Sequence, residues 1–102
     1  MPKVTLQYFD GCPNWALADQ RLRVLQDELD LTITYRSVET PEEAERVGFR
    51  GSPTLLIDGV DHFATDHDPV GLACRVYGTP DGPRGAPSTA QLRRALQHAA
   101  DA

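Results

Sequence analysis

The chain opens on an alternation. Val4, Leu6 and Tyr8 take every second place between Thr5, Gln7 and Phe9, the period-two spacing of a strand. Asp10-Gly11 interrupts the pattern, and beyond Pro13 the period changes. Trp15, Ala18, Leu22, Leu25 and Leu29 recur every three or four residues, one apolar stripe along a helix that runs to about Leu29. Pro13 suits a first helical position, where a missing N–H costs nothing, and this makes Cys12 the expected N-cap. Leu31, Ile33 and Tyr35 then alternate with Thr32, Thr34 and Arg36 as a second strand.

Thr40-Pro41-Glu42-Glu43 is a capping box with proline at the first helical position, and Gly48 fits the left-handed residue that ends so short a helix. Phe49 is expected to fold back over its last turn. Residues 54–57 read as a third strand, Asp58-Gly59 as a type I′ turn, and residues 60–63 as a fourth strand. Ser88-Thr89-Ala90-Gln91 is a second capping box, with Leu92, Leu96 and Ala99 lining the final helix. The expected fold is a single α/β domain over residues 1–102, in the order β-α-β-α-β-β-α, with a four-stranded mixed sheet. A long connection, residues 64–87, is rich in proline and glycine. Within it, residues 72–77 read equally as a short edge strand or as a turn of helix.

Charge narrows the partners. Fifteen acidic residues against ten basic give a net charge of −5, and no basic patch is legible. Nucleic acid and anionic membrane surfaces both need a positive field, so neither is an expected partner. The N-terminal Met1-Pro2-Lys3 runs straight into a strand without an apolar leader, and the expected location is cytoplasmic. In that reducing compartment Cys12 and Cys74 are expected to rest as thiols. Asp58, Asp61, His62, Asp66, His67 and Asp68 crowd the hairpin and the residues after it. Their spacing matches no ligand pattern, so they read as a solvated acidic turn, and no metal or other cofactor is expected. His98 reads as a complement to the C-terminal end of the last helix.

The chemistry gathers at Cys12. A thiol at a strand-to-helix junction meets the positive end of a helix dipole and unpaired N–H groups, which favour the thiolate. Asp10 opposes that effect, and Trp15, one turn on, is placed to cover the sulfur, so only mild activation is expected. Any bridge within the chain must join Cys12 to Cys74, with Cα atoms within about 7 Å. The long connection can bring Cys74 to the helix start, or leave it in an edge strand as an inert apolar side chain.

Cys12-Pro13-Asn14-Trp15 after the first strand, and Gly51-Ser52-Pro53-Thr54 before the third, resemble the active-site layout of the thioredoxin and glutaredoxin superfamily. The chain is similar to small bacterial thioredoxin-like proteins at residues 9–14, 40–44, 51–54 and 71–77, some of them loosely labelled alkylmercury lyase. The resemblance implies a thioredoxin-like fold, a cis Ser52-Pro53 bond and thiol-disulfide chemistry at Cys12, with Cys74 or an external thiol resolving the mixed disulfide. Pro13, Trp15, Ser52, Pro53 and Thr54 would contact substrate, a protein or small-molecule thiol or disulfide. Trp15 stands where redox members carry a second cysteine. Residues 60–66 lack the glycine pair of glutathione-binding members, and the motif differs from that of cluster-ligating monothiol members. Two other readings stand beside the redox one: a non-catalytic binding module, and a soft-metal or organomercurial site built from Cys12 and Cys74.

Overall fold

The structure, a computed structural model, describes residues 2–64 and 70–101. Five strands and three helices follow in the order β1 (Lys3–Tyr8), α1 (Asn14–Glu28), β2 (Thr32–Ser37), α2 (Pro41–Val47), β3 (Thr54–Ile57), β4 (Tyr77–Thr79), β5 (Gly82–Arg84) and α3 (Thr89–Asp101). β1 is central. It pairs with β2 in parallel, Val4 opposite Ile33, and with β3 antiparallel, Val4 opposite Ile57 and Leu6 opposite Leu55. The class is α/β with a mixed sheet, as the patterning predicts.

The fourth strand of that sheet is not formed among the described residues. The turn before it is: Asp58 and Gly59 both have positive φ, 51° and 85°, as a type I′ turn requires. Ile57 and Val60 exchange both backbone hydrogen bonds, and there the pairing stops. Asp61 ends it. Its carboxylate accepts the Phe63 N–H at 3.0 Å and takes the guanidinium of Arg75, so the chain turns instead of running back along β3. A separate hairpin forms later, where β4 pairs antiparallel with β5 inside the long connection.

Val4, Leu6, Leu55 and Ile57 present one sheet face to α1 and α3, whose Ala18, Leu22, Leu25, Leu92 and Leu96 complete the main core. Each of the buried valine, leucine and isoleucine side chains contributes roughly 1.5–3 kcal/mol, and Ala18 less. Two polar ties join the layer: Arg93 of α3 to Glu28 of α1 at 2.6 Å, and Arg21 of α1 to the Pro87 carbonyl oxygen at 2.6 Å. Gln7 is buried on the other sheet face, and its Oε1 has no hydrogen-bond partner among the described residues.

The second capping box forms in full, Ser88 and Gln91 exchanging side-chain-to-backbone bonds at 3.1 and 2.8 Å. The first forms by half: Thr40 accepts the Glu43 N–H, but the Glu43 carboxylate accepts the N–H of Glu39, one residue before the cap, at 3.2 Å. Gly48 ends α2 at φ 70°, and Phe49 folds back so that its N–H reaches the Ala44 carbonyl at 2.8 Å. Phe49 thereby joins Val38 and Ala44 in a small second core, onto which Phe9 and Leu72 pack. That cluster is the platform for the site.

Candidate functional site

Cys12 does not cap α1. Pro13, at φ −76° and ψ −8°, holds that place, and the helix begins at Asn14. Pro13 is already near helical geometry and its carbonyl accepts the Ala16 N–H at 3.2 Å, so a tight first turn starts one residue later than the proline rule suggests. Cys12 closes the preceding turn, its N–H donating to the Phe9 carbonyl at 3.2 Å. The ring of Phe9 lies over Gly11 so closely that a Cβ there would stand 2.6 Å from the ring. The thiol is thus pinned between the end of β1 and the start of α1, and it is fully buried.

Across from it the Ser52-Pro53 peptide bond is cis. Ser52 Oγ accepts the Phe9 N–H at 3.4 Å, and Thr54 Oγ1 donates to the Gly51 carbonyl at 2.6 Å. Ser52, Pro53 and Thr54 are all buried. Cys12 Sγ lies 3.6 Å from the Ser52 carbonyl oxygen. As a disulfide sulfur it has no proton to give; the reduced thiol would donate there.

Cys74 completes the arrangement. It forms a disulfide with Cys12, with a Cα–Cα distance of 5.7 Å across a sequence separation of 62 residues. Of the two placements open from sequence, the connection takes the one that wraps back to the helix start. The expectation of two resting thiols is corrected in the same observation. The segment is held by a succession of contacts. The Gly71 N–H donates to the Phe49 carbonyl at 3.0 Å, and Leu72 packs on the small core. The Ser52 N–H donates to Ala73 at 2.8 Å, and the Ser52 carbonyl accepts the Arg75 N–H at 3.0 Å, a parallel bridge centred on Cys74. Gly51 makes room for it: at φ +110° it adopts a conformation that side chains avoid, and a Cβ would lie 3.0 Å from both the Ala73 oxygen and Arg75 Cβ.

Arg75, Asp61 and Tyr77 are the supporting residues that sequence reasoning missed. Arg75 and Asp61 form a two-pronged ion pair at 2.7 and 3.3 Å, with side chains 3% and 11% exposed. The guanidinium also sits 4.6 Å over the Tyr77 ring, and the Tyr77 hydroxyl donates to the Pro53 carbonyl. One signal was present: Arg75 is the single charge in the run Ala73-Cys74-Arg75-Val76-Tyr77, and a charge in an otherwise apolar run invites a search for its partner.

The remaining predicted contacts divide. Pro13 is exposed beside the buried thiol. Trp15 packs on the main core and against Tyr8, ring centroids 4.6 Å apart. Of the acidic and histidine group, Asp66, His67 and Asp68 lie outside the described residues. Asp58 accepts the Lys3 N–H, Asp61 is spent on Arg75, and His62 meets His98 edge-on at 6.3 Å. Among the described residues no group of three or more potential ligands converges as a metal site, and no helix is long and apolar enough to cross a membrane. No protein-family model matches the chain, and no curated protein matches it.

Proposed function

We propose that the chain is a thiol-disulfide oxidoreductase of thioredoxin-like architecture, working through the Cys12–Cys74 pair on a protein or small-molecule thiol or disulfide in the cytoplasm. The observation that carries this reading is an asymmetry within one disulfide: Cys12 is fully buried where β1 gives way to α1, and Cys74 is exposed. Exchange needs access to one sulfur of the bond, and the exposed residue Cys74 is the side from which an external thiol can approach. The central β1, the thiol at its end and the cis proline opposite support the architectural reading; the unformed fourth strand sets this chain apart from it. In a reducing compartment a disulfide of this kind is formed and broken in use.

A second reading has its own observation. Ser52 already spends both backbone groups on residues 73–75, so the edge that an extended substrate would use is occupied by the chain itself. On that reading the disulfide is a staple that closes a non-catalytic module. Turnover separates the two. Wild type, Cys12→Ser and Cys74→Ser would be compared in catalysed reduction of a protein disulfide by a small dithiol. The redox reading expects turnover by wild type and none by either variant. Equal background rates for all three would leave the staple.

A further inference from the structure

Resting on the redox reading, we propose that Cys74, and not the motif residue Cys12, is the sulfur an external thiol attacks, and that the partner it fits is a cysteine in an extended peptide. Position in the sequence motif assigns the opposite roles. Burial and hydrogen bonding reverse them.

Cys12 has no exposed surface, and attack on its sulfur would first require the turn at residues 9–12 or the cis-proline segment to move. Cys74 is exposed, and so are Ala73 and Val76, the latter at 66%. Its neighbour Arg75 is buried and paired with Asp61, so the exposed side chains that flank Cys74 along the segment, Ala73 and Val76, are apolar. The backbone adds a second feature. In a parallel bridge one residue bonds on both sides to its partner's neighbours, and the residue opposite aims its own N–H and C=O the other way. Ser52 is the first of these and Cys74 the second. The N–H and C=O of Cys74 have no hydrogen bond among the described residues. An extended peptide can therefore lie along this outer edge as an added strand, with its own cysteine beside Cys74.

The step balances as ordinary exchange. A peptide thiolate attacks Cys74 Sγ, the new S–S bond forms as the Cys12–Cys74 bond breaks, and Cys12 leaves with the bonding pair as a thiolate. It leaves just ahead of the N-terminal end of α1, where the helix dipole favours negative charge, and on protonation it donates to the Ser52 carbonyl. A second thiolate of the partner then attacks the peptide sulfur and releases Cys74 as a thiolate. The partner dithiol has become a disulfide, and Cys12 and Cys74 have each gained an electron. The reverse sequence reduces a partner disulfide to a dithiol and re-forms the Cys12–Cys74 bond, with Cys74 as nucleophile and Cys12 as resolving thiol.

The test uses the oxidised wild-type protein and a short unstructured peptide with a single cysteine among apolar residues. The folded mixture is quenched in acid and the mixed disulfide located by peptide mass. A matching peptide, N-methylated on the residues flanking its cysteine, cannot pair as a strand. Attachment to Cys74 is expected, with the methylated peptide slower by about five- to tenfold, the effect of losing about one net hydrogen bond. Cys12→Ser, which keeps Cys74, should also capture a disulfide probe while folded, and Cys74→Ser should capture it at least about tenfold more slowly. Attachment at Cys12, or equal rates for the two peptides, overturns this assignment and leaves the redox reading standing. A disulfide that exchanges with neither peptide until the protein unfolds, in a wild type that also shows no turnover, brings down the redox reading itself.

Discussion

Ser52 holds Arg75 by a backbone hydrogen bond of 3.0 Å, and in doing so it holds Cys74 in front of Cys12. The cis-proline segment thus has two neighbours at once, the thiol at the start of α1 and the strand-like segment that delivers the second thiol. Gly51, Arg75 and Asp61 maintain that geometry from outside the disulfide. Reduction should therefore leave the two sulfurs close, and the strength of the supports can be tested one at a time.

Arg75→Met should loosen the segment. It leaves the Asp61 carboxylate without its guanidinium in a nearly closed site. Removing one partner of a fully buried pair costs about 3–5 kcal/mol, and because Asp61 keeps some solvent we expect about 2–3 kcal/mol here. Urea unfolding of the oxidised protein measures the loss. The rate at which the reduced protein closes its disulfide should fall as well, since Cys74 is held less firmly.

Gly51→Ala tests the close approach directly. The added methyl group meets the Ala73 oxygen and Arg75 Cβ, and the backbone must keep a φ that L-residues avoid. A cost of about 1–3 kcal/mol is expected. Reduced Gly51→Ala should re-form the Cys12–Cys74 bridge more slowly than wild type, read by the loss of alkylatable thiol with time. An unchanged closure rate would show that the segment does not need this contact.

The disulfide should stabilise the fold strongly. Taken from sequence, Cys12 is an N-cap that serine replaces with little loss of stability; in the structure it is one end of a link spanning 62 residues and caps nothing. Chain-entropy reasoning gives up to about 4 kcal/mol for a loop of that size. Reduced and alkylated protein, or Cys12→Ser, should unfold at clearly lower urea than the oxidised form. Coincident transitions would mean that the unfolded chain gains nothing from release of the link.

How much of this was legible in the sequence depends on the range of each signal. The β1 alternation, the α1 stripe, the Thr40 and Ser88 helix caps, Gly48 and the Asp58-Gly59 turn are local, and the structure has all of them. The fourth strand was read from a local signal as well. It failed because a distant residue, Arg75, claims Asp61 and turns the chain. The Cys12–Cys74 link has no local signature at all. It depends on Phe49 folding back, Leu72 packing onto it and Ser52 pairing with residues 73–75, each a contact between separate stretches of chain. The helix start moved by one residue because Pro13 took the cap from Cys12.

The exposed pair between α3 and α1 predicts a pH dependence. The hydrogen bond from Arg93 holds the Glu28 carboxyl below its ordinary value of 4.5. A carboxyl lowered in the folded state adds stability above its unfolded pKa and loses it as the pH falls through the folded one. Wild type should therefore melt slightly above Glu28→Gln at neutral pH, and the two should converge below pH 4.5 as Glu28 protonates. A difference that persists unchanged into acid would assign the effect to packing.

The most direct test of the account is the equilibrium of the Cys12–Cys74 bond in thiol-disulfide redox buffers. The fraction bridged is read by peptide mass, and the fold by near-ultraviolet circular dichroism. Reversible opening in the folded protein is expected at a potential within the span of catalytic disulfides, about −120 to −270 mV. A bond that stays closed below about −300 mV, or that opens only as the protein unfolds, would contradict it and leave the disulfide as a structural staple.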